Sequence, residues 1–181
     1  MEREYRKKHF RAHCLKRLKR VSQRGTYKRD RIVLERLYRI IREVDARKIM
    51  LYLPMETEVN LYPLIRRLRR ERRVLYVPFM EGKSFRVVKY RYPLEKKRFG
   101  IKEPRDSRQY RNRELDIAIV PIVGLDRTYR RVGFGKGMYD RFFEKEMKNI
   151  KRTVFVAREL CYSKAVVTDQ YDVKADMVIV P

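Results

Sequence analysis

The sequence predicts an α/β fold: three layers, α/β/α, around a mostly parallel, Rossmann-like central sheet. Two observations carry this. Four short apolar runs (Ile49 to Leu53, Val74 to Val77, Asp116 to Val120 and Met177 to Val180) are each closed by a proline. Amphipathic helical patterns alternate with these runs, as they do where helices cover a parallel sheet. Proline cannot donate to a sheet ladder, so Pro54, Pro78, Pro121 and Pro181 mark where strands are expected to stop.

In chain order, residues 2 to about 20 form a strongly basic helix whose few apolar positions (Tyr5, Phe10, Cys14, Leu15, Leu18) recur at helical spacing. Lys7 and Arg11 stand at i and i+4 and share one face, where they can grip one phosphate chain. His9 and His13 also share a face, but the further ligands a zinc site needs are missing beside them. From Tyr27 to Val44, the residues Ile32, Leu34, Leu37, Ile40, Ile41 and Val44 predict a core-facing helix. Between the first two apolar runs lies a helix with Pro63 in its first turn and Leu64, Ile65 and Leu68 inward. Ser84 to Tyr92 alternates and is more polar, which suits an edge strand; Thr153 to Ala157 is a further buried strand. Neither internal repeat nor linker divides the chain, so residues 1–181 are expected to form one domain.

The chemistry concentrates after the third run, in DIAIVPIVGLDRTYRRVGFGKGMYDR. A strand leads through a basic segment to Gly133, Gly135 and Gly137 and then into a helix beginning MYDRFFEKE. Glycines admit backbone N–H groups close to a ligand, and a helix N-terminus adds partial positive charge, so this is an anion site with phosphate as the expected ligand. It is neither the P-loop, since no Ser or Thr follows the lysine, nor the dinucleotide fingerprint, since the third glycine comes too early. Arg131 and Lys136 flank the glycines as a fork and a point charge. Asp140, one turn beyond Lys136, is placed to hold Mg²⁺ together with substrate phosphates. Ligands of open α/β sheets bind beyond the carboxyl ends of the strands, so Met55-Glu-Thr-Glu58, after Pro54, is expected on the same rim.

The composition bounds the partner. Lys and Arg number 48 against 23 Asp and Glu, a net charge of +25. Such a field attracts any polyanion, and a basic nucleic-acid-binding protein is one alternative reading. The charge is spread along the chain rather than gathered in one tail or stripe. With two cysteines, no apolar run near ~20 residues and no signal-like N-terminus, the chain reads as a cytoplasmic protein with free thiols. Scarce Asn and Gln beside abundant Lys, Arg and Glu suggest a thermophilic source.

The run Arg131-Val-Gly-Phe-Gly-Lys-Gly-Met-Tyr-Asp140, preceded by Pro121 and Gly124-Leu-Asp126, resembles the signature of the 5-formyltetrahydrofolate cyclo-ligase (5,10-methenyltetrahydrofolate synthetase) family. The likeness extends to Lys7-Lys-His-Phe-Arg11, Leu53-Pro-Met-Glu-Thr-Glu58, Gly100-Ile-Lys-Glu-Pro104 and Asp172-Val-Lys-Ala-Asp176. Departures include Met138, where the first of two tyrosines is usual, and Cys161, where glutamine is common. The resemblance implies a ligase using ATP and Mg²⁺ to cyclise 5-formyltetrahydrofolate, with or without a polyglutamate tail, through a phosphorylated formyl intermediate. It also implies roles: Lys7, Arg11, Arg131, Gly133, Phe134, Gly135, Lys136, Gly137, Met138 and Tyr139 at ATP, with Arg131 and Lys136 catalytic. Leu53, Met55, Glu58, Phe134 and Met138 would meet the folate, and Asp140 and Asp172 the metal. A monomer acting on small molecules is expected, with no membrane and no dedicated nucleic-acid partner. Another ATP-using α/β enzyme would keep the phosphate residues and change the second substrate.

Overall fold

A computed structural model of the chain describes residues 2–97, 100–105 and 114–181. Its helices are α1 (Glu2–Ser22), α2 (Thr26–Glu43), α3 (Tyr62–Arg70) and α4 (Met138–Glu146). Six strands make the central sheet: β1 (Lys48–Met50), β2 (Val74–Glu81), β3 (Ser84–Lys89), β6 (Ile117–Pro121), β9 (Thr153–Val156) and β11 (Met177–Ile179). Their order is β11-β9-β6-β1-β2-β3, parallel except for β3, which pairs antiparallel with β2 at the edge as its polar alternation suggests. Two smaller sheets complete the described strands. β7 (Gly124–Asp126), β8 (Arg131–Val132) and β10 (Tyr162–Ser163) form one, and the hairpin of β4 (Leu94–Lys96) and β5 (Lys102–Pro104) the other.

Strand side chains alternate between faces, and that alternation builds two cores. Ile49, Leu75, Val77, Ile117, Ile119, Val154 and Val156 pack with Val33, Leu37 and Ile41 of α2 and Leu64, Ile65 and Leu68 of α3. Met50, Tyr76, Ala118, Val120 and Phe155 face the other way, onto Phe142 and Phe143 of α4. The three layers follow directly. Within α2 it is Val33, not Ile32, that occupies the core position, because Val33 falls in register with Leu37 and Ile41.

Two expectations about the strands need correction. β2 does not stop at Pro78 but continues to Glu81, and β1 ends at Met50 rather than Leu53. In a strand, successive backbone N–H groups point to opposite sides. Tyr90 N–H donates to Leu75 O on the β3 side, and Leu51 N–H to Tyr76 O on the β1 side. Pro78 therefore turns its nitrogen toward β1, which has already ended, and the missing donor costs no ladder bond. Pro121 closes β6 in the same way: Ala118 and Ile122 donate toward β9, at Arg152 O and Val156 O, leaving the proline nitrogen on the vacated β1 side.

The expectation of free thiols is overturned. Cys14 of α1 and Cys161 form a disulfide across 147 residues of sequence, with both sulfurs buried. Packed with Leu18 and Val123, it fastens the otherwise sparsely apolar α1 to the small sheet. A Cβ on Gly124 would lie 2.9 Å from Cys161 O and 3.1 Å from Cys14 Sγ, so the contact requires glycine there.

Candidate functional site

From β1 the chain runs through α3 to β2 on one side, and later through β6, β9 and β11 on the other. The topological switch point therefore lies between β1 and β6, and a ligand crevice is expected outside their carboxyl ends. A cavity of about 610 Å³ opens there. Both ends contribute to its wall: Leu53, Met55 and Glu58 after β1, and Pro121 at the end of β6.

The glycine loop forms the opposite wall, with Gly133, Phe134, Gly135, Lys136 and Gly137 leading into Met138, Tyr139 and Asp140 of α4. Arg131 is its keystone. The side chain is buried, its Nε donates to Pro121 O at 3.2 Å, and its Nη1 lies 3.5 Å from Asp140 Oδ1. Its guanidinium sits 4.8 Å from the Tyr139 ring centroid. A Cβ on Gly133 would stand 2.4 Å from Arg131 Nη2, so this glycine leaves room for the arginine. Gly137 has φ 61° at the start of α4, a left-handed conformation that glycine accepts without strain.

Asp126 pins the turn between β7 and β8, ahead of this loop, to the segment after β10. Its carboxylate accepts from the N–H and hydroxyl of Thr128, the N–H of Val167, and the N–H and hydroxyl of Thr168. Burial alone would raise its pKa, yet these bonds hold it down at about 2. Arg131 N–H then donates to Val173 O, tying the loop to the segment that carries Asp172.

Helix α1 lies across the mouth of the cavity. Arg11 Nε donates to Gly133 O at 2.9 Å, and Lys7 Nζ lies 2.5 Å from Asp172 Oδ2. Lys7, Arg11, Arg131 and Lys136 thus converge on one cavity with Asp140 and Asp172. That donor set suits a polyphosphate with a bridging cation. Among the described residues no group of three or more His, Cys, Asp or Glu is placed to hold a metal alone. A Mg²⁺ at Asp140 or Asp172 would complete its shell with substrate phosphate oxygens, its usual habit.

The remaining wall is apolar and aromatic, from Tyr52, Met80, Phe85 and Ile101. Phe85 stacks on Phe142 at 4.5 Å and meets Tyr139 edge-on at 4.9 Å. Glu58 sits among them, buried, its Oε2 accepting the Met55 N–H at 2.8 Å. Burial pushes its carboxyl up to about 7, against the pull of that N–H and of the Arg131 and Arg158 guanidinium groups. Burial likewise raises the Tyr52 and Tyr139 phenols well above their ordinary range.

Every residue singled out from sequence for ATP, folate or metal lines this cavity. Glu56, its neighbour in the acidic pair, is exposed and does not. Sequence reasoning gave no role to Tyr52, Met80, Phe85, Arg141, Glu144 and Tyr171, nor to Ile101 and Lys102 of the quoted Gly100–Pro104 stretch, all of which line the cavity. Met80 stands one residue before the carboxyl end of β2, the end at which the strand-end rule looks for ligand contacts. Lys102 arrives on the β4–β5 hairpin, which is held against β2 by buried Glu103 accepting Met80 N–H at 3.1 Å.

A mostly parallel α/β sheet with a glycine loop and an apolar pocket at its switch point is the layout of an α/β protein that binds small molecules beyond its strand ends. Residues 3–181 match the 5-formyltetrahydrofolate cyclo-ligase family, and the chain belongs to that family of ligases. Among its relatives, 5-formyltetrahydrofolate cyclo-ligase of Haemophilus influenzae is 28% identical over 140 residues, 74% of this chain and 73% of that protein. The enzyme of the same name from Mus musculus is 21% identical over 189 residues, 96% and 92% of the two chains. The solution structure of Aquifex aeolicus 5,10-methenyltetrahydrofolate synthetase superposes with a TM-score of 0.75 at 28% identity, covering 96% of this chain and 88% of that one. A Mycoplasma pneumoniae 5,10-methenyltetrahydrofolate synthetase gives the same TM-score at 19% identity, over 96% and 98%, and supports the fold. No helix among the described residues is long and apolar enough to cross a membrane.

Proposed function

We propose that this protein cyclises 5-formyltetrahydrofolate to 5,10-methenyltetrahydrofolate, consuming ATP in the presence of Mg²⁺ and releasing ADP and phosphate. The observation that carries the reading is one cavity with two chemically distinct halves: a cationic glycine loop, and an aromatic pocket holding a buried carboxyl. In the reaction the formyl oxygen attacks the γ-phosphorus, the bond to the bridging oxygen breaks and ADP leaves. The neighbouring folate amine then attacks the activated formyl carbon, loses its proton and expels phosphate. Phosphoryl transfer is mostly positioning and charge stabilisation, so no nucleophilic side chain is needed.

Arg131 and Lys136 are assigned to the charge that develops on the transferred group, and Lys7 and Arg11 to the phosphates from the α1 side. Gly133, Gly135 and Gly137 let the loop backbone approach, with Phe134, Met138 and Tyr139 against the nucleotide. Asp140 and Asp172 are assigned to Mg²⁺, which supplies neutralisation of phosphate charge when bound. Leu53, Met55, Glu58, Phe134 and Met138 are assigned to the folate, whose polyglutamate tail suits so basic a chain. With this reading go a monomer and a cytoplasmic location. The disulfide fits such a location in a heat-adapted cell, where intracellular proteins are often disulfide-rich.

The test follows the absorbance of the methenyl product with and without ATP. ATP-dependent product is expected, and Lys136→Ala should lower kcat by ~10²–10³ while leaving the fold intact. Absence of product from folded protein assayed warm would overturn the reading, as would product formed equally well without ATP.

A further inference from the structure

The loop that presents Glu58 is held from behind by an ion pair that neither lines the cavity nor belongs to the glycine motif. Arg158 follows β9, Asp30 lies in α2, and both are buried, at 6% and 7% exposure. Arg158 Nε and Nη2 meet Asp30 Oδ1 and Oδ2 at 2.7 and 2.9 Å, a bidentate pair. Each partner also takes one backbone group of the same loop. Arg158 Nη1 donates to Glu56 O at 2.6 Å, and Asp30 Oδ2 accepts Asn60 N–H at 3.1 Å. These two ties fall two residues before and two residues after Glu58.

We propose that Asp30 and Arg158 are positioning residues for the folate-binding loop, fixing where Glu58 stands in the cavity. The inference rests on the reading that Glu58 meets the folate. Stability alone does not account for the pair, because desolvating two ions is costly and an apolar pair of similar volume is often as stable. An apolar pair has no donor for Glu56 O and no acceptor for Asn60 N–H. Glu58 N–H to Met55 O and Met55 N–H to the Glu58 carboxylate shape the turn, and the Tyr52 hydroxyl, donating to Val59 O at 3.1 Å, ties it to the chain leaving β1, but none of these bonds ties it to α2 or β9. The ion pair does so, joining the loop to α2 and to the end of β9.

Arg158→Lys tests this, since an ammonium keeps the charge opposite Asp30 but lacks the fork that reaches Glu56 O as well. Asp30→Asn is the companion variant. A misplacement on the ångström scale is costly in a preorganised site. We therefore expect KM for 5-formyltetrahydrofolate to rise about tenfold, with KM for ATP within about twofold of wild type. Amide hydrogen exchange should quicken in residues 54–60 and stay unchanged in the sheet. Equal rises in both KM values, exchange that quickens throughout, unaltered kinetics, or loss of folding in both variants would each overturn the proposal. If wild-type protein shows no turnover of 5-formyltetrahydrofolate, the functional reading falls, and the exchange pattern still decides the clamp.

Discussion

Glu58 shows how one side chain couples stability to pH. An exposed glutamate titrates near ~4.3, whereas burial holds this one at about 7 in the folded protein. Between those values the folded state binds more protons than the unfolded state, so this group's contribution to stability is full below ~4.3 and declines as pH rises toward 7. The loss amounts to about 3 kcal/mol. Glu58→Gln should remove this component, so its Tm relative to wild type should improve between pH 5 and pH 8. A constant difference across that range would place the ionised carboxylate in a better solvated setting. At Gly133 the argument is steric. Gly133→Ala puts a methyl 2.4 Å from Arg131 Nη2, and the arginine must move. A loss of about 10²-fold in kcat/KM is expected with little change in Tm. Unaltered kinetics would show that Arg131 is not held where the reaction needs it.

At the scale of elements, α1 is the informative case. Its sequence is mostly polar and strongly basic, yet Cys14 and Leu18 are buried against Val123 and Cys161. The same helix carries Lys7 and Arg11 to the cavity, so the disulfide anchors half of the cationic set. Replacing both cysteines by serine should cost about 2–5 kcal/mol of stability. It should also raise KM for ATP more than KM for the folate, because the helix would be freed to lift from the loop. Steady-state kinetics of the folded double variant decide this; equal effects on the two substrates would confine the disulfide to stability. The glycine loop and α4 were legible from sequence because their chemistry is local, a strand end, three glycines and a helix start within one short stretch. The hairpin β4–β5 was not, since contacts between distant segments, among them the buried bond from Met80 N–H to Glu103 and the Lys102 ammonium over the Tyr62 ring, hold it over the site.

For the whole molecule, the net charge of +25 and the basic cavity wall lead us to expect electrostatic capture of an anionic substrate under the proposed function. Raising KCl from 50 to 500 mM shortens the screening length from ~14 to ~4 Å. We expect kcat/KM to fall about tenfold over that range, chiefly through KM; a flat profile would mean that short-range contacts alone bring the substrates in. The composition and the long-range disulfide also lead us to expect a Tm above the ~45–65 °C of ordinary mesophile domains. A midpoint within that range in oxidised protein would remove the thermophilic reading.

Legible in the chain alone are the α/β class, the run of strands and helices, the glycine loop and the rim on which Glu58 stands. Those features are written in periodicity, proline placement and glycine spacing, which act over a few residues. It takes the folded molecule to reveal that Cys14 meets Cys161, that β2 passes through Pro78, and that Asp30 and Arg158 close behind Glu58. Each of these depends on which groups meet across more than a hundred residues, or on which side of a strand a neighbour has ended. No local pattern encodes such a meeting, because the contact is fixed by how the layers pack and by which polar groups burial leaves to be satisfied.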